Sequence, residues 1–146
     1  MPYIHQIDQI APTLVPLDLH QPLSLERLGE SFSELGSVDK GSASVGTWFG
    51  QTPWENHAGD EFLYVLDGEV SITLLRNDAP EDYRLVPGSV FIVPAQVWHR
   101  SHAEQPVTML AVLASPHGPV SYAGDPRKDT ELKEFDWETV DEKTVS

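Results

Sequence analysis

The chain of 146 residues contains no cysteine, which excludes disulfides, thiolate metal ligands and a cysteine nucleophile together. Basic residues are scarce: 9 Lys and Arg stand against 23 Asp and Glu, for a formal net charge of −14. Such a chain is repelled by phosphate backbones and anionic lipid surfaces, so neither nucleic acid nor a membrane is expected as a partner. No apolar run approaches the roughly 20 residues of a membrane span. The opening Met1-Pro-Tyr-Ile-His-Gln-Ile-Asp8 lacks the basic and apolar regions of a secretion signal, and a cytoplasmic protein is expected. The length suits one domain with its own core and leaves no room for a second of similar size.

Three regions can be distinguished. Residues 1–43 scatter aliphatic side chains among Pro12, Pro16 and Pro22, and the prolines rule out a continuous helix. This segment is expected to run extended against the barrel or a partner subunit, with one or two helical turns over Leu25–Leu35 and a turn at Asp39–Ser42. Residues 44–116 change to a β texture. Strands are expected at Val45–Phe49, Glu61–Leu66, Glu69–Leu75, Tyr83–Val86, Ser89–Val93, Trp98–His102 and Val107–Ala114. Asp67-Gly68 carries the signal of a hairpin between the second and third of these. Short strands at this spacing, broken by Gly and Pro and without intervening helices, predict an all-β antiparallel sandwich or small barrel. Residues 117–146 form an acidic, irregular extension, with Phe135 or Trp137 docking on the barrel.

The chemistry concentrates between Glu55 and His99. Glu55 and His57 stand two apart, so an extended strand points both to one face. Glu61 follows after Ala58-Gly-Asp60 and opens the next strand, sharing a face with Leu63 and Val65. Pro94-Ala-Gln-Val-Trp-His99 supplies another imidazole from a different strand. Two neutral imidazoles and two carboxylates balance a dication, which makes burial of the cluster tolerable. A divalent ion held by Glu55, His57, Glu61 and His99 is expected, and all-N/O ligation suits Mn, Fe, Ni, Co or Zn. Four protein ligands leave positions open on a six-coordinate ion. Glu55 has a rival role as general base beside a three-ligand site. Other residues receive blander readings: His102 on the surface, Asp60 in a turn, and no role for His5, His20 or His117. Trp54, beside Glu55, is the aromatic expected to touch a ligand.

These residues resemble the motifs of the cupin superfamily. Its first motif reads Gly, a short spacer, His-x-His, three or four residues, Glu, six residues, Gly. Glu55-x-His57, three residues, Glu61, six residues and Gly68 match it except at the first histidine. The second motif reads Gly-x5-Pro-x-Gly-x2-His-x3-Asn, against Gly88-x5-Pro94-x-Gln96-x2-His99 here, with Ala103 in the Asn position. The resemblance spans about residues 46 to 114. It implies a single antiparallel jelly-roll β-barrel, one divalent metal on His57, Glu61 and His99, and Glu55 standing where a histidine is usual. It also implies pairing into a homodimer. The function expected is that of a metal-dependent enzyme on a small polar metabolite, of oxygenase, isomerase or decarboxylase type. The alternative is a non-catalytic binding or sensing cupin with a degenerate or absent metal site.

Overall fold

A computed structural model of the chain describes residues 3–134. The strands are β1 (Leu17–Asp18), β2 (Phe32–Val38), β3 (Gly41–Gln51), β4 (Trp54–Glu55), β5 (Glu61–Asp67) and β6 (Val70–Leu75). They continue with β7 (Glu81–Leu85), β8 (Val90–Val93), β9 (Trp98–Leu113), β10 (Pro119–Ser121) and β11 (Lys133–Glu134). Helices α1 (Ile7–Ile10) and α2 (Leu25–Ser31) are short. Among the described residues no helix is long and apolar enough to cross a membrane.

Strand β9 organises the rest. Its first part, Trp98–Ala103, pairs with β6 on one side and with β4 and the end of β3 on the other. Its last part, Val107–Leu113, pairs with β5 and with the body of β3. Strands β7, β8, β2 and β10 extend these pairings outward from β6, β5, β3 and β4. The result is a curled, all-β jelly-roll barrel around a core that includes Trp48, Leu63, Val65, Ile72, Leu74, Val93 and Met109. Alternation builds it: in β6, Val70, Ile72 and Leu74 are buried while Ser71 is exposed.

The N-terminal segment lies on this barrel. β1 pairs in parallel with β3, Leu17 opposite Trp48, and Leu17 and Leu28 join the core. Helix α2 begins where the Ser24 hydroxyl accepts a hydrogen bond from the Arg27 amide at 3.1 Å. The Arg27 guanidinium ties it to the Asp18 carbonyl at 2.7 Å.

Two expectations about strands require correction. Asp67-Gly68 is a turn, but not a hairpin: β5 pairs with β8 and β9, and β6 with β7 and β9, never with each other. Gly68 sits at φ +81°, and a side chain there would overlap the Pro106 carbonyl oxygen. The turn therefore presses onto β9, and its two strands part to opposite ends of that strand. Trp98–His102 and Val107–Ala114 are likewise one strand. Pro106 lies inside it, beside the break in the register with β3 between Trp48 and Gly50, where a missing N–H costs no ladder bond. The C-terminal region contributes β10 and β11, and Phe135, Trp137 and Val140 lie outside the described residues.

Candidate metal centre

Backbone pairing assembles the site. Glu55 lies between His99 of β9 and Val120 of β10 in register, and Glu61 opens β5 opposite Leu113 and Val93. His57 Nε2 stands 3.5 Å from Glu55 Oε2 and 3.5 Å from Glu61 Oε1. His99 Nε2 stands 3.6 Å from the same Glu61 oxygen. The histidines are 2% and 3% exposed; the Glu61 and Glu55 side chains are more open, at 14% and 26%.

Both rings are aimed by their other nitrogen. His57 Nδ1 donates to the His117 carbonyl at 2.5 Å, and His99 Nδ1 to the Val97 carbonyl at 3.0 Å. A carbonyl only accepts, so each ring carries a proton on Nδ1, whatever its charge, and turns Nε2 toward the carboxylates. The contact at 3.5 Å is too long for a hydrogen bond, and His57 Nε2 is buried without a hydrogen-bond partner. Donor atoms sharing one ion at about 2.1 Å stand roughly 3 to 3.5 Å apart at ordinary ligand angles. The observed gaps, 3.5 to 3.6 Å, lie at the upper edge of that spacing. Nδ1 donation to a carbonyl is also how metal-binding histidines are commonly oriented.

The surrounding loops hold this frame in place. The Gln96 amide donates to the His57 carbonyl at 2.7 Å, and Asp60 Oδ1 accepts from the Ala95 amide at 2.8 Å. Gly118, at φ +80°, lets the 115–119 loop approach closely: a Cβ there would sit 2.6 Å from the Asn56 carbonyl oxygen.

The charges are strongly coupled. Burial by itself disfavours a charged His57, but the Glu61 carboxylate, and then Glu55, outweigh it and raise its pKa to about 9. Burial likewise opposes ionisation of Glu61, yet the two imidazoles hold it down at about 2. His99 is raised against its burial by Glu61 and Glu55. Free of an ion, the cluster is a buried imidazolium–carboxylate network. A divalent cation can replace those protons, and the His/Glu donor set suits one.

Of the four expected residues, His57, Glu61 and His99 form one group whose donor atoms all lie within 4.8 Å of one another. Glu55 forms a second such group with His57 and His117. His117 had no assigned role, because its contribution comes from a chain reversal after β9 and partly from its backbone carbonyl. His102 is exposed, as expected. Asp60 is the turn carboxylate described above. Trp54 is buried, carries the Arg100 guanidinium 4.4 Å above its ring, and is not among the residues lining the adjoining cavity.

That cavity, about 480 Å³, opens from Glu55, Glu61, His99 and His117 into the barrel. Its walls are largely apolar.

Residues 49–113 match the family model described as Cupin domain. A solved cupin superfamily protein from Desulfitobacterium hafniense DCB-2 is 27% identical, with TM-score 0.50, over 70% of this chain and 97% of that one. Residues 49–113 thus carry a cupin domain. Two further structures share the cupin fold at lower identity. Hydroquinone 1,2-dioxygenase from Sphingomonas sp. TTNP3, solved with 4-hydroxybenzoate bound, is 18% identical with TM-score 0.54, covering 74% of this cupin and 71% of that chain. Another hydroquinone 1,2-dioxygenase, in complex with Cd²⁺ and 4-hydroxybenzonitrile, is 24% identical with TM-score 0.53, covering 80% and 74%. No curated protein matches this cupin in sequence.

Proposed function

We propose that this cupin binds one divalent ion through His57, Glu61 and His99, with Glu55 as fourth ligand, and is a metal-dependent enzyme acting on a small molecule in the cavity. The supporting observation is the pair of buried imidazoles moored through Nδ1, with the partnerless Nε2 of His57 facing carboxylates at ligand-to-ligand spacing. When bound, the ion supplies Lewis acidity and open positions for a substrate oxygen. Glu61 and Glu55 balance its charge, and both line the cavity. A second copy is proposed as partner. Ile4 and Val15 of the N-terminal segment remain 78% and 51% exposed, and apolar surface left open in this way marks contacts.

Elemental analysis tests the metal reading. Protein purified without chelator, or reconstituted, is expected to hold one ion per chain, lost on His57→Ala or His99→Ala. No ion under either condition supports the degenerate cupin. Glu55→Gln is expected to weaken metal binding at least tenfold. Full metal content with turnover lower by roughly 10²–10⁴-fold would make Glu55 the general base instead. Turnover is tested first with oxygen-dependent assays on phenolic compounds, since two chains of similar fold are dioxygenases, and then with isomerase and decarboxylase panels.

A further inference from the structure

The cavity walls discriminate among ligands in ways that the metal-binding end does not. Leu17, Leu28, Phe32, Trp48, Leu63 and Met109 line its body, drawn from the N-terminal segment, β2, β3, β5 and β9. No lysine or arginine lines it among the described residues; the acidic groups that do are Glu34, Glu55 and Glu61. Two carboxylates and two neutral imidazoles already balance a dication. A phosphate or carboxylate entering here would find no counter-charge, and would meet acidic side chains. A sugar could use the Ser42, Ser44, Thr52 and Ser101 hydroxyls, but hydroxyls set against the Leu17, Leu28, Leu63 and Met109 side of the wall would lack partners.

Size narrows the class further. At about 480 Å³ the space is roughly three times the 150 Å³ or so that accommodates one benzene ring in an apolar cavity. Room remains for about two ring systems, or one ring with a short chain.

We infer that the ligand is an uncharged amphiphile, with an apolar body of that size and a single oxygen-donor group reaching the His57–Glu61–His99 end. The head group rests on the metal reading given above; the body rests on the walls alone. Such walls favour a largely apolar ligand over the small polar metabolite expected from the sequence.

Calorimetry on the full chain loaded with Zn²⁺ tests this with 4-alkylphenols from 4-methylphenol to 4-pentylphenol, 4-pentylbenzoate and glucose 6-phosphate. Affinity is expected to rise about fourfold per methylene until the cavity is filled. The benzoate should bind at least tenfold more weakly than the phenol of equal tail, and the sugar phosphate should give no signal. Ala111→Phe, which fills the cavity from β9, should weaken 4-pentylphenol at least tenfold at unchanged zinc content. Ser44→Phe is the second variant should the first unfold. Zinc bound with no dependence on tail length, or with tighter binding of benzoate or sugar phosphate, overturns the inference and leaves the metal reading standing. Tail dependence in a protein that takes up no zinc keeps the apolar body and removes the metal-bound head.

Discussion

Gln96 holds φ +66°, a left-handed conformation that side chains resist and glycine does not. It stays there because its amide is needed at the His57 carbonyl. Gln96→Gly is expected to stabilise the fold by about 1 kcal/mol, raising the melting temperature by roughly 3 °C at unchanged metal content. Thermal unfolding with and without zinc checks both parts. The cluster sets a second expectation, for pH. The pKa of His57 is raised from 6.5 to about 9, so its contribution is complete below pH 6.5 and is lost as pH climbs through 9. Glu61 is lowered from 4.5 to about 2, so its share is complete above pH 4.5 and is lost as pH falls through 2. Counted once, the pairing is worth up to roughly 3 kcal/mol. Metal-free protein should therefore be most stable between pH 4.5 and 6.5 and weaken toward pH 9, as denaturant titration at stepped pH would show. With an ion bound, His57 is deprotonated, and the alkaline loss should disappear.

Elements show what local sequence can and cannot specify. Glu55, His57 and Glu61 were legible because they lie within seven residues and strand alternation alone aims two of them together. His99 followed from a proline-led strand start. The pairing of β5 and β6 was misread because an Asp-Gly turn fixes only a local reversal; which strand each arm joins is decided by tertiary burial. Pro106 read as a stop, yet it sits at a register break where no partner needs its N–H. The His117 mooring left no sequence signal, since the carbonyl that His57 uses belongs to the backbone and any residue could provide it. The loop from Ser115 to Pro119 is thus part of the site through its shape. Gly118→Ala should cost roughly 1–3 kcal/mol from its forced left-handed φ. It should also weaken metal binding about 10- to 100-fold by shifting the His117 carbonyl; denaturant unfolding and a zinc titration read the two effects separately.

For the whole molecule, charge and exposed apolar surface pull against each other. A formal charge of −14 per chain repels a second copy, while Val90 and Ile92 on β8, 53% and 50% exposed, favour covering that strand. β8 pairs with β5 alone among the described residues, so its outer edge also offers unpaired backbone groups. Repulsion is screened beyond about 8 Å at physiological ionic strength. Light scattering at micromolar concentration should give twice the chain mass near 150 mM salt, with monomer gaining at low salt; a monomer at both would remove the dimer. Strand β9 has a consequence of another kind. Its 16 residues belong to both halves of the barrel, so neither half possesses a complete set of neighbours without the other. Partial opening of one half would strip the shared strand of partners in both, leaving little middle ground between folded and unfolded. His99 sits at one end of that strand and the cavity wall at Met109 toward the other. A cation seated at the first would then bear, through a single run of backbone, on the firmness of the wall against which a ligand would rest.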